Sequence, residues 1–178
     1  GEEDGAAAKS GIPLADLCAG LFCAYGILCA LEHRDRTGEG QLVDTSLLEA
    51  AMALTVWESS EYWLTGKAPG PMGSAHRLSA PYQALRAEDG YFTVGASNDK
   101  LFAAFCAVLE RQDLLQQFPT RGIRLEKRRS LIAEIEKTTG RKAKAHWLAG
   151  LEKARVPAGP SNDYAVALAD PPAQGCRM

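Results

Sequence analysis

Asp16 is the carboxylate whose sequence setting is best suited to chemistry. It lies between Gly11 and Gly20, at the start of a predicted apolar helix. The helix dipole and the free backbone N–H groups of a first helical turn favour an ionised acid there. Gly20, one turn further on, has no side chain, so the face that carries Asp16 is open to a ligand. Such a carboxylate can act as a nucleophile, but the residues alone favour a plain helix-end charge.

Other catalytic chemistries find little support in the sequence. His33, His76 and His146 are far apart, and neither HExxH nor a Cys/His cluster occurs, so we predict no metal site. The segment Thr37-Gly38-Glu39-Gly40 lacks the Lys-Ser/Thr of a phosphate loop and is typical of a turn. The hydrolase pattern GxSxG is absent.

The charges do not indicate a nucleic-acid or anionic-membrane partner. Lys and Arg number 20 against 22 Asp and Glu, a net charge of −2. One basic run could bind an anion, but no aromatic residues are interleaved with it, so a solvated helix face is favoured. The run comprises Arg121, Arg124, Lys127, Arg128 and Arg129.

The cysteines and the chain opening predict a reducing compartment. The five cysteines are an odd number without CxxC, which favours reduced core residues. They are Cys18, Cys23, Cys29, Cys106 and Cys176. The first ten residues are acidic and small rather than a signal peptide, and without an initiator Met we expect a piece of a longer chain. We predict a cytoplasmic protein (mitochondrial or peroxisomal if eukaryotic). The uncharged stretch Leu17–Leu31 is shorter than the ~20 residues of a membrane span, so no membrane partner is expected.

The first part of the chain predicts two long helices joined by a short strand. With 46% hydrophobic and 24% charged residues, the composition is that of an ordinary globular protein. Pro13 suits the first turn of a helix over Leu14–His33. A strand is predicted over Gln41–Thr45. The capping-box pattern from Ser46 to Glu49 then opens a second helix over Leu47–Leu64.

The second part predicts a small domain of mixed helix and sheet. Residues 67–73 are rich in Pro and Gly and read as a linker, so we divide the chain into 1–70 and 71–178. Asp89-Gly90 lies between the strand-like runs Tyr82–Ala87 and Tyr91–Ala96, which predicts a hairpin. Helices are predicted at about 99–109, 113–118, 125–138, 143–154 and 164–169, with 156–160 extended.

Several segments, in the same order along the chain, resemble the family III CoA-transferases. These are 11–16, 19–21, 26–28, 30–31, 36–41, 43–50, 81–83, 89–90 and 156–160. The group includes formyl-CoA transferase, carnitine CoA-transferase, the bile-acid-inducible protein F type and α-methylacyl-CoA racemase. The resemblance implies an α/β fold of which this chain is a central fragment: two long helices with a short strand in the large domain, followed by a small α+β domain.

The resemblance also implies a reaction. Such enzymes move CoA from an acyl-CoA thioester to a carboxylic acid through a covalent aspartyl intermediate, and the nucleophile matches Asp16. The substrates would be acyl-CoA and a carboxylic acid, with no tightly bound cofactor and no metal; which residues hold CoA is unknown. Both covalent intermediates hydrolyse, so the site must exclude water.

Two differences between this chain and the resembling family leave alternative functions open. Family members are about twice as long, and their first half carries much of the CoA pocket, so the chain by itself is expected to be inactive. Racemases of the group place a Glu in the hairpin after Pro-Tyr, where this chain has Gln83. An amide cannot abstract an α-proton, which favours a transferase over an acyl-CoA racemase or epimerase. A non-catalytic interaction module is the alternative from another class.

The two predicted long helices are apolar around most of their circumference. A helix of this kind needs burial on several sides, and in the resembling family these helices lie against the absent half and two subunits interlock as a dimer. We therefore expect this chain to form a homo-oligomer or to bind a complementary part.

Overall fold

The computed structural model describes residues 1–175. They form two units, Gly1–Pro71 and a second that begins at Met72. The predicted boundary at residues 70 and 71 lies at this division, and the role of each part within a whole enzyme stays a prediction. Cys176 lies outside the described residues.

The first unit consists of three helices. They are α1 (Leu14–Thr37), α2 (Leu47–Leu54) and α3 (Val56–Thr65). Gly38 ends α1 in the left-handed conformation, with φ of 79°, and its N–H donates to the Arg34 carbonyl at 2.7 Å. The predicted capping box opens α2: Ser46 Oγ accepts from the Glu49 N–H at 3.1 Å and donates to its carboxylate at 2.8 Å.

Two predicted elements of this unit are wrong in detail. The helix expected over Leu47–Leu64 is interrupted at Thr55, whose hydroxyl and N–H both donate to the Met52 carbonyl, at 2.8 and 3.0 Å. The strand expected over Gln41–Thr45 is irregular chain. A strand exists only when another strand pairs with it, and within the described residues no segment does so; Leu42 is 92% exposed.

Gly26 is a point of close packing between α1 and the irregular segment. A Cβ added to Gly26 would lie 2.7 Å from Val43 Cγ1, whereas one added to Gly20 would meet no atom within 4 Å. Overpacking costs about 1–3 kcal/mol, and Gly to Ala in an open helix gains about 1 kcal/mol. We therefore expect Gly26→Ala to speed amide hydrogen exchange in α1 and Gly20→Ala to slow it, measured by mass spectrometry. Equal effects of the two variants would show that the Val43 contact is absent in solution.

By length and composition, α1 is the one helix of the described residues that could cross a membrane. It has 24 residues, with Asp16 in its first turn and Arg34 and Arg36 in its last. A helix covered by another part of a protein meets the same two criteria. The absence of a membrane partner stays a prediction.

The second unit contains the predicted hairpin. Strands β1 (Tyr82–Ala87), β2 (Gly90–Gly95) and β3 (Ala158–Pro160) form an antiparallel sheet in the order β1-β2-β3. The hairpin is confirmed, but its two turn residues are Glu88 and Asp89, because Ala87 pairs with Gly90. Gly90 begins β2 at a φ of 130°, which glycine adopts readily. The extended segment after Val156 supplies β3.

Seven helices of the described residues follow or flank this sheet. They are α4 (Asp99–Val108), α5 (Asp113–Gln117), α6 (Arg121–Glu126), α7 (Arg128–Thr139), α8 (Lys144–Lys153), α9 (Tyr164–Ala169) and α10 (Pro171–Gly175). Asn98 caps α4, since its side chain accepts from the Leu101 N–H at 2.9 Å. The helix predicted over 125–138 is two helices, because Lys127 leaves helical geometry at φ −100° and ψ 29°.

The hydrophobic core lies in the second unit. It joins the buried faces of the hairpin, α4, α7 and α8, including Leu85, Phe92, Phe105, Ile135 and Trp147. Cys106 belongs to it, and burial raises the pKa of its thiol to about 12. A thiol so disfavoured from ionising is unreactive, which agrees with a packing role.

Only part of the basic run is the solvated helix face that we predicted: Arg121, Lys127 and Arg129 are exposed, whereas Arg124 is buried and Arg128 half-buried. Arg124 is 1% exposed; its guanidinium pairs with Asp99, donates to the Phe118 carbonyl at 3.3 Å and lies 4.5 Å from the Phe102 ring centroid. Arg128 donates to the His76 carbonyl at 2.6 Å. These side chains hold loops in place because a guanidinium offers five donors for backbone carbonyls. The sequence alone does not show which carbonyls those are.

The outer edge of β1 is closed by side chains of the same unit. Ser74 Oγ accepts from the Ala84 N–H at 3.1 Å, and Glu136 accepts from the Arg86 N–H at 2.9 Å. Thr139 Oγ1 donates to the Arg86 carbonyl at 2.6 Å. An edge strand whose backbone polar groups are already hydrogen-bonded is not available to pair with another strand.

We expect a polypeptide that starts at Gly73 to fold by itself. It retains Ser74 at the sheet edge together with the whole core, so no buried contact named above is lost. A dispersed proton–nitrogen correlation spectrum checks this. A collapsed, undispersed spectrum would contradict the division of the chain at this point.

Candidate active site

The structure places Asp16 at the third position of α1, exposed to solvent. Pro13 is the residue before the helix rather than part of its first turn, and α1 has no side-chain cap. The Leu14 N–H donates to Ile12 at 2.9 Å and the Leu17 N–H to Pro13 at 3.1 Å. In the part of the chain that the structure describes, the N–H groups of Ala15 and Asp16 have no acceptor.

This arrangement favours an anion at the start of α1. The helix dipole puts partial positive charge at its N-terminus, and the two free N–H groups add to it. The Asp16 carboxylate forms no hydrogen bond or ion pair with any described residue. A carboxylate that is exposed and not held by a cation or a hydrogen-bond donor keeps its lone pairs available for attack on an electrophile.

The sequence indicated the acid but not which backbone groups surround it. Proline before a helix supplies no side-chain acceptor for the first-turn amides, so Pro13 is the signal that could have singled out the N–H groups of Ala15 and Asp16. The structure brings no second ionisable side chain onto Asp16 within the first unit's described residues.

Gln83, the residue that bears on the racemase alternative, lies on β1 in the second unit. It is half-buried, and its Oε1 is buried without a hydrogen-bond donor among the described residues. The neighbouring Tyr82 is stacked on His76, with ring centroids 4.7 Å apart and an interplanar angle of 11°. The Tyr82 ring is therefore positioned by a residue of the same unit.

The described residues contain no group of three or more His, Cys, Asp or Glu side chains that could hold a metal ion. A cavity of about 330 Å³ lies in the first unit beside the last turns of α1, lined in part by Leu31, Arg34 and Leu42. Asp16 is not part of its lining. The candidate nucleophile therefore lies on an open face of the helix.

The whole sequence matches a known protein family. The model of CoA-transferase family III matches residues 1–178. The chain belongs to CoA-transferase family III. This confirms the resemblance drawn from the motifs around Asp16 and in the hairpin.

Two relatives that are named as CoA-transferases are similar along most of the chain. The chain is 36% identical over 171 residues to a succinyl-CoA:mesaconate CoA-transferase of Haloarcula marismortui, covering 96% of this chain and 43% of that protein. It is 32% identical over 164 residues to the succinyl-CoA:glutarate CoA-transferase of Mus musculus, covering 91% of this chain and 38% of that protein. The chain therefore spans about two fifths of the length of these relatives.

A solved structure confirms the fold. A CAIB/BAIF family protein from Brucella suis is 36% identical and matches with a TM-score of 0.85, covering all of this chain and 48% of that one. The predicted fold class, helices followed by a small α+β domain from within a family III CoA-transferase, is thereby confirmed. The local differences at Thr55 and at residues 41–45 remain.

Proposed function

We propose that this chain is the nucleophile-bearing part of an enzyme that transfers CoA from an acyl-CoA thioester to a carboxylic acid. Asp16 is the nucleophile, and the observation that carries this role is its exposed, unpaired carboxylate beside two free amides at the start of α1. Membership of the family supports the reaction class. The 178-residue chain by itself is inactive, because it spans only 43% and 38% of the two relatives.

The first half-reaction moves CoA from the donor onto Asp16. A carboxylate oxygen bonds to the thioester carbonyl carbon, the C–S bond breaks, and CoA leaves as a thiolate with a mixed anhydride behind it. The thiolate then attacks Cγ of Asp16 and breaks the anhydride bond to that carbon. The donor acid departs with one oxygen that came from Asp16, and an aspartyl-CoA thioester remains.

The second half-reaction is the reverse with the acceptor acid. The acceptor carboxylate attacks the aspartyl thioester, CoA leaves, and a new mixed anhydride forms. CoA thiolate then attacks the acceptor's carbonyl carbon and releases the new acyl-CoA. Asp16 is restored as a carboxylate with one oxygen from the acceptor. Every step exchanges one acyl bond for another, so atoms balance without a proton donor or a metal.

The acceptor in the proposed reaction is a dicarboxylic acid. The two relatives are named for the transfer of CoA from succinyl-CoA to mesaconate and to glutarate. Another relative, from Acetobacter aceti, is 36% identical over 159 residues and is named an acetyl-CoA:oxalate CoA-transferase. Each of these three acceptors carries two carboxylates, of which only one can react at a time.

A chimeric enzyme tests this function. The chain replaces the segment that it matches in the mouse succinyl-CoA:glutarate CoA-transferase, and the chimera receives succinyl-CoA with ¹⁸O-labelled glutarate, mesaconate or oxalate. We expect a new acyl-CoA and ¹⁸O in the peptide that contains Asp16. A folded chimera without transfer would contradict the function, whereas transfer without label in that peptide would contradict the aspartyl intermediate alone.

A further inference from the structure

Gly20 leaves the space above the candidate nucleophile open. It lies four residues after Asp16, so the two share one face of α1. Side chains on a helix lean toward its N-terminus, and a side chain at position 20 would therefore cover the turn that carries Asp16. A Cβ added to Gly20 has no contact within 4 Å, and the Asp16 side chain is also farther away than that.

The other glycine within α1 is explained by packing inside the chain, whereas Gly20 is not. Glycine weakens a helix relative to alanine because it loses more conformational freedom. Gly26 has a packing reason, since a Cβ there would lie 2.7 Å from Val43 Cγ1. Gly20 has no such neighbour among the described residues, so packing within the chain does not account for it.

We propose that Gly20 is a positioning residue that admits the planar thioester group of the donor onto the Asp16 carboxylate. The inference rests on the function proposed above. Attack requires the carboxylate oxygen and the carbonyl carbon to come within about 3–3.5 Å in an aligned geometry. The thioester then occupies the face of α1 on which a side chain at position 20 would lie. The absence of a side chain at position 20 thereby lets the acyl group and the pantetheine arm approach Asp16 closely.

Two substitutions and a matched control test this role. Gly20→Ala and Gly20→Leu add increasing bulk with residues that form helices well. Ala24→Leu adds similar bulk at an exposed position of the same helix, two turns from Asp16. The 178-residue chain is treated with a carbodiimide and an amine, and modification of Asp16 is followed by peptide mass spectrometry. We expect Gly20→Leu to slow it on the order of tenfold and Ala24→Leu to leave it unchanged.

The chimeric enzyme supplies the second readout. We expect Gly20→Ala to lower kcat with succinyl-CoA by about 10²-fold, because a misplacement of about 1 Å costs that much, while the melting temperature stays the same or rises. Wild-type turnover by Gly20→Ala, or an unchanged labelling rate in Gly20→Leu, overturns the proposal. If the unsubstituted chimera folds but does not transfer CoA, the proposed function fails, and the labelling rates decide the role of Gly20 independently.

Discussion

Asp16→Ala is expected to abolish CoA transfer in the chimeric enzyme, with a loss of at least about 10³-fold, because the reaction then has no group to carry the acyl and CoA intermediates. The side chain is exposed and has no partner among the described residues. Its removal therefore costs only the helix-dipole interaction, about 0.3–1 kcal/mol. Steady-state kinetics and a thermal melt of the same preparation measure both effects.

Asp16→Asn serves as the control for shape. The amide has nearly the same volume but is a poor nucleophile, so we expect it to be as inactive as the alanine variant. Neither variant should yield a hydroxamate at position 16 when hydroxylamine is added during turnover, whereas the unsubstituted enzyme should. Wild-type turnover by either variant would rule out the covalent role of Asp16.

The isolated chain is expected to associate rather than remain a monomer, because the first unit buries little of its apolar surface. Ala19 and Ala50 are the hydrophobic residues buried in that unit. Large apolar side chains remain exposed on all three helices, among them Leu21, Leu28, Met52, Trp57 and Trp63. A contiguous exposed apolar patch of more than a few hundred Å² is unusual for a stable monomer.

Light scattering at tens of micromolar (about the range in which a modest interface saturates) measures this association. We expect the pair Leu21→Glu and Leu28→Lys, on one face of α1, to shift the chain toward the monomer. Tyr91→Lys, an exposed aromatic of the second unit, is the matched control and should leave the distribution unchanged. A monodisperse monomer of the unsubstituted chain would contradict the prediction.

Tight CoA binding is not expected for the chain by itself. In the described residues no cation is paired with Asp16. Arg121, Arg124 and Arg128 of the basic run donate to backbone carbonyls, and Arg124 also pairs with Asp99. Phosphate recognition normally uses arginine forks or lysines directed at the anion. Calorimetry with CoA measures this, and micromolar affinity would mean that the CoA pocket lies within this chain.

The features that the sequence determined by itself are local. Pro13 and the apolar run after it place Asp16 in a first helical turn. Ser46 and Glu49 form the capping box, and the Asp89-Gly90 signal marks the point where the hairpin turns from β1 into β2. Each of these signals acts within about four residues, so tertiary contacts do not need to be known. The resemblance to the family could also be recognised from the sequence, because the matching segments occur along the chain in the same order as in the family.

Only the tertiary structure decided the features that depend on distant residues. The sequence predicts that Arg124 is a surface cation. In the structure it is buried, where it pairs with Asp99, donates to the Phe118 carbonyl and lies over the Phe102 ring. The segment 41–45 has the composition of a strand, but a strand requires a partner, and none of the described residues provides one. The sequence places Gly20 one turn after Asp16, but only the tertiary structure shows that Gly26 is a packing contact, with Val43, and that Gly20 has no neighbour within 4 Å among the described residues. Burial, pairing and close approach are set by groups far apart in the chain, and local propensity carries no information about them.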